Sequence, residues 1–218
     1  MMKLRVDSPV IQAGIKLTNL LILNLYWVIG CLPVLTIGAS TAAAFTVTLK
    51  MTEDREELGI TRAFWSAYVK NLRHGVPLTV LLLAGSYAIW LNWKCFEKLE
   101  GNPIGFLLLA VLGVLLLIVH FLYIFPLEAR YENKLLQALS NARNIFIRYI
   151  GRTLGLIGTL LIQFLFFTQV HPAITYAGLF CMPILMIYTT SQIIMPLFRK
   201  IEKTGGAEET FEITSDLY

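Results

Sequence analysis

Four stretches of this 218-residue chain carry no Asp, Glu, Lys or Arg: 17–49, 75–93, 101–127 and 153–198. A helix needs about 20 such residues to cross the hydrocarbon core of a bilayer. Blocks this long do not suit a soluble domain, whose surface helices pair a buried face with a solvated one. Composition agrees. The chain is 56% hydrophobic and 15% charged, with mean hydropathy +0.67, against about 45–50% and 25% in soluble domains. The expectation is an all-α integral membrane protein, since a helix satisfies its own backbone polar groups in lipid.

Five spans stand out, at 12–32, 76–94, 104–126, 153–171 and 173–198; only His171-Pro172 separates the last two, which read as a tight hairpin. Whether a sixth exists turns on residues 24–40, NLYWVIGCLPVLTIGAS. Bases cluster in loop 50–74 (Lys50, Arg55, Arg62, Lys70, Arg73), in loop 128–152 (Arg130, Lys134, Arg143, Arg148, Arg152) and after the last span (Arg199, Lys200, Lys203). In 94–103, Lys94 and Lys98 are offset by Glu97 and Glu100. The positive-inside rule puts both charged loops and the C-terminal end in the cytoplasm. Lys3, Arg5 and Lys16 put the N-terminus there too. The chain must then cross twice before residue 50. Helix 12–32 turns at Cys31-Leu32-Pro33, and 34–50 returns over about 25 Å, barely a span. Its small residues, Gly38 to Ala44, suit close helix packing. This reading has six spans and both termini inside. The alternative is one Pro-bent helix, five spans and an outside N-terminus. Val28-Ile29-Gly30-Cys31 loosely fits a lipobox, but Lys16 interrupts the apolar stretch before it and apolar sequence follows it.

Both charged loops read as amphipathic helices at the cytoplasmic face. In 60–73, Ile60, Phe64, Trp65, Tyr68 and Leu72 share one side, and Arg62, Ser66, Lys70 and Arg73 the other. In 134–150, Leu135, Leu139, Ala142, Phe146 and Ile150 oppose Lys134, Asn141, Arg143 and Arg148. Such helices either lie on anionic lipid or form a docking surface, for which the candidates are Arg62, Phe64, Trp65 and Lys70. Residues 1–203 are expected to form a single membrane domain. Residues 204–218 carry Glu208, Glu209, Glu212 and Asp216 and no base, and read as a disordered cytoplasmic tail. Without them the net charge of +4 becomes 18 − 10 = +8. That excess reads as membrane orientation, not nucleic-acid binding.

The chain has no phosphate-binding loop, zinc-protease helix, nucleophile elbow or dinucleotide fingerprint. The three cysteines, Cys31, Cys95 and Cys181, have no metal or redox spacing. No cofactor, metal or catalytic group is expected. In place of charge, the spans carry Asn19, Asn24, His120, Gln163, Ser191 and Gln192. His120 is the candidate intramembrane polar site, with a neutral structural role as its alternative. Asn24 is expected to bond across helices. The spans offer no carboxylate for proton coupling, Glu128 reading as too shallow.

The stretch LNLYWVIGCLPVLTIGASTAA resembles the N-terminal signature of the YesL-like family, domain of unknown function 624, at Asn24, Leu25, Trp27, Leu32, Pro33, Val34, Thr36, Ile37, Gly38 and Ala39. FPLEARYEN, from Phe125 to Asn133, is similar to the family's segment after its middle span, so the likeness covers most of the chain. The structural motif to locate is Asn24, Trp27, Pro33, Thr36 and Gly38. The resemblance implies a small multi-pass protein of the cytoplasmic membrane of a Gram-positive bacterium, often encoded beside carbohydrate ABC importers. It implies a context and no activity. The function expected is therefore a non-catalytic accessory of such an importer, with the bilayer and permease or ATPase subunits as partners. The alternative is an autonomous small-molecule transporter or channel.

Overall fold

The computed structural model describes residues 9–53, 59–98, 104–131, 135–169 and 172–204. Among these there are seven α-helices and no strand. They are α1 (Pro9–Cys31), α2 (Ile37–Thr52), α3 (Ile60–Lys98), α4 (Ile104–Arg130), α5 (Leu135–Arg148), α6 (Ile150–Gln169) and α7 (Pro172–Thr204). A single 3-10 turn, Val34–Thr36, joins α1 to α2. Among the described residues six segments are long and apolar enough to cross a membrane, and Val34–Thr52 is one of them. The return helix after Pro33 therefore exists, and the five-span alternative with one bent helix does not hold.

One expected boundary is absent. The amphipathic stretch 60–73 and the span 76–94 form one 39-residue helix, α3, with Pro77 inside it. A proline in a helix removes one backbone hydrogen bond, and here both sides of the break are held by neighbours. α2 packs along the first part of α3, Gly38 lying against Gly75. α4 packs along the second part, with Gly85 facing Leu117 and Gly113 facing Ile89. Tertiary contacts on both sides keep the helix continuous across the proline. The second amphipathic segment is a separate helix, α5, as expected.

α2 and α3 make a helical hairpin. Gly38 is 14 residues before the end of α2 and Gly75 is 15 residues into α3, so the arms match in length. Beyond Gly75, α3 continues for 23 residues, about 34 Å. That outer stretch packs on α4. The core lies where α1, α2, the first part of α3, the last part of α4 and the last part of α7 converge, around Leu23, Phe45, Phe64, Tyr123, Ile194 and Phe198.

Candidate functional site

The α1–α2 turn is held by short polar bonds that the motif residues supply. Pro33 cannot continue α1. The hydroxyl of Thr36 then reaches back to the carbonyls of Gly30 and Pro33, both at 2.8 Å. Trp27 donates its indole N–H to Thr41 Oγ1 at 3.2 Å, and Ser40 donates to the Trp27 carbonyl at 2.9 Å. Gly30 leaves room for this, since a Cβ there would lie 2.7 Å from Ser40 Oγ.

Gly38 joins this turn to α3. A Cβ on Gly38 would lie 2.5 Å from the Gly75 carbonyl oxygen and 2.5 Å from Thr79 Oγ1; one on Gly75 would lie 2.5 Å from Ala39 N. The two glycines allow direct backbone contact between α2 and α3. The Gly38 N–H belongs to the first turn of α2, where no intrahelical acceptor exists. It donates instead to Thr79 Oγ1 at 2.8 Å, and the Thr79 hydroxyl in turn donates a hydrogen bond to the Gly75 carbonyl at 2.8 Å. Residue type alone does not single out Thr79 or Gly75. They are partners only because α2 and α3 are antiparallel.

Asn24 departs from expectation. It is wholly buried in α1, yet neither its Oδ1 nor its Nδ2 has a hydrogen-bond partner among the described residues. The interhelical bond is instead made by Thr48 and Ser191, whose hydroxyls lie 2.7 Å apart between α2 and α7. The side chain of His120 lies outside the described residues.

A charged clamp ties the ends of α2, α4 and α7 together. Arg130 grips Glu202 with two parallel bonds, Nε to Oε1 at 2.7 Å and Nη2 to Oε2 at 3.2 Å, and reaches Glu53 Oε1 through Nη1 at 3.1 Å. Such a fork needs the planar guanidinium. Tyr131 donates to Glu202 Oε1 at 2.7 Å. Burial, and then the bonded Glu202 carboxylate, push the Tyr131 phenol above its usual range, so it stays protonated as a donor.

Glu128 is also placed differently from its sequence reading. Its side chain is 4% exposed, and Oε1 lies 3.6 Å from Nδ1 of His74 on α3. The carboxylate is buried because α3 runs unbroken past it. Within two helical turns of this pair lies a partly open, mostly apolar cavity of about 460 Å³, lined in part by Gly38, Thr79, Ser86, Phe121 and Phe125.

The docking candidates separate. Phe64 is wholly buried and Trp65 half-buried, joined with Tyr26 and Tyr68 in an aromatic cluster with ring centroids 5.3–6.1 Å apart. Phe64 is therefore corrected from a docking contact to a core residue. The apolar face that pattern alone assigned to lipid or partner is used between α1 and α3. Arg62, Ser66, Lys70 and Arg73 point outward, and Val69 among them is 66% exposed. Among the described residues no group of three metal-ligating side chains occurs.

These features define a multi-pass helical membrane protein whose first hairpin is pinned to a long third helix. Residues 20–93 match the family model described as "Protein of unknown function, DUF624". The match covers this α1–α3 region, which holds the whole motif and both sides of the Gly38–Gly75 contact, and supports membership of that family; the YesL-like family that the motif resembles is the same family. FPLEARYEN lies outside the matched residues. No curated protein and no solved structure matches the chain.

Proposed function

We propose that this protein is a non-catalytic accessory of a carbohydrate ABC importer in the cytoplasmic membrane of a Gram-positive bacterium. The observation that carries the docking part of this reading is the outward basic face of α3. Arg62 and Arg73 are exposed, make no ion pair among the described residues, and flank the exposed Lys70. The opposite face of the same helix is locked into the core by Phe64 and Asn71. A rigid, pre-shaped charged surface suits a protein partner better than a mobile one, because less order is lost on binding. The carbohydrate context is what the family resemblance implies.

The test replaces Arg62 and Lys70 in two ways. Arg62→Lys/Lys70→Arg keeps the charge and alters the shape, whereas Arg62→Glu/Lys70→Glu reverses the charge. Anionic lipid attracts charge, at about 1 kcal/mol per base, whereas a bidentate protein contact distinguishes Arg from Lys. The expected outcome is that both pairs lose copurification of the permease or ATPase and slow growth on the importer's sugar, with insertion unchanged. Loss in the acidic pair alone would assign the face to lipid. Loss in neither would remove the docking reading. The reading also places Lys3 and Tyr218 inside and Cys95 outside. An impermeant maleimide on intact cells should label a cysteine at 95 and none at 3, and the reverse would overturn that orientation.

A second reading, an autonomous transporter, is favoured by one observation: the buried Glu128 carboxylate beside His74, close to a cavity. Intramembrane ionisable groups mark ion and substrate paths. Solute uptake by proteoliposomes holding only this protein, abolished by Glu128→Gln, would support it over the accessory reading.

A further inference from the structure

The basic face of α3 has a candidate occupant within the chain itself. We infer that the acidic segment 205–218 lies along Arg62, Ser66, Val69, Lys70 and Arg73, and so competes with any partner for that face. The contact needs no importer; its competitive consequence rests on the docking reading above.

Position comes first. α7 ends at Thr204, and Glu202, two residues earlier, is held by Arg130. The same guanidinium holds Glu53, which closes α2, and α3 begins at Ile60. The segment therefore leaves the bundle at the end where the basic face begins. Reach follows. Its 14 residues extend to about 46 Å, while Arg62 to Arg73 covers about 17 Å of helix.

Charge and apolar contact are complementary. Glu208, Glu209, Glu212 and Asp216 carry four negative charges with no base among them. Arg62 and Arg73 make no ion pair among the described residues. Two bases nearer the start of the segment are engaged elsewhere: Lys200 sits over the Tyr149 ring at 5.8 Å, and Arg199 acts on Glu202. Val69, exposed between the bases, offers an apolar spot to Phe211 or Ile213. Each surface ion pair is worth little. A tether, however, holds the segment at an effective concentration in the millimolar range, so weak pairs suffice. The contact should weaken steeply with salt.

The experiment uses the full chain in zwitterionic nanodiscs, where anionic lipid does not compete. Native cysteines are replaced by Cys31→Ser, Cys95→Ser and Cys181→Ser. The test pair is Ser66→Cys with Ser215→Cys. The control pair is Gly151→Cys with Ser215→Cys, since Gly151 is exposed and a Cβ there has nothing within 4 Å. The test pair should form its intramolecular disulfide at least about tenfold faster than the control. That advantage should vanish in about 1 M salt, where the Debye length is about 3 Å, and with Arg62→Gln/Arg73→Gln. Equal rates for the two pairs, or an advantage indifferent to salt and to the arginines, would overturn the inference. If the inference fails while the charge-reversed pair still loses its partner, the docking reading stands alone. If the disulfide forms as expected but no permease or ATPase is recovered, docking falls and the intramolecular contact stands. Where both hold, Glu208→Gln/Glu209→Gln/Glu212→Gln/Asp216→Asn should raise partner recovery.

Discussion

α2 and the outer part of α3 are both apolar enough to cross a membrane, and the fold uses them in opposite ways. α2 buries twelve of its sixteen residues. α3 buries six of its thirty-nine, all between Phe64 and Thr79, so nothing in its outer stretch beyond Thr79 is buried. Size separates the two. α2 is Gly, Ala, Ser and Thr through most of its first half, and Ala42 to Ala44 are wholly buried. The outer stretches of α3 and α4 are Leu, Val and aromatics; Leu108 is 64% and Val111 60% exposed. In lipid there is no hydrophobic force between helices, so association rests on close packing and interhelical hydrogen bonds. Small residues permit both. Large apolar side chains gain about as much from lipid tails as from another helix. Hydropathy therefore marks both segments as spans, and only side-chain size indicates which one is the bundle's centre.

The strongest way to break this comparison is to put the same large side chain into both regions. Gly38→Leu should cost at least about 3 kcal/mol, because its Cβ would meet the backbone of Gly75, which cannot give way as a flexible side chain can. Gly105→Leu, where a Cβ meets nothing within 4 Å, should stay within about 0.5 kcal/mol. Thermal melts of the two proteins in one detergent, read as loss of the monodisperse peak, compare them directly. Equal behaviour would mean that the Gly38–Gly75 contact does not hold the fold.

A middle-sized effect is expected at the clamp. Arg130→Ala leaves Glu53 and Glu202 facing each other without the guanidinium, which should cost about 2 kcal/mol. Arg130→Lys should recover only part of this, since an ammonium cannot make the two parallel bonds to Glu202. The order wild type, Lys, Ala in melting temperature checks it. A melt unchanged in both variants would show that the three helix ends do not depend on Arg130.

The smallest effect sharpens the comparison. Leu108→Ala on the outer part of α4 should change stability by less than about 0.5 kcal/mol, since the side chain faces away from the bundle. A loss like that of a core leucine, about 2–5 kcal/mol, would show that this face is covered by protein rather than lipid.

The sequence by itself determined the six apolar segments able to cross a membrane and the place of the first turn. These follow from local quantities: long charge-free runs, a helical period, and a proline that ends the first span. The separation of the face 62, 66, 70 and 73 from the face 64, 68 and 72 was legible for the same reason. Which face is buried was not, because Phe64 turns inward against residues of other helices, Tyr26 among them. The continuity of α3 across Pro77, the partnership of Gly38 with Gly75 and Thr79, and the burial of Glu128 beside His74 were likewise settled by tertiary structure alone. The last two join residues 37 to 54 positions apart. Local pattern sets what a segment can become, but a buried contact has two sides, and the second side is supplied only when the helices pack.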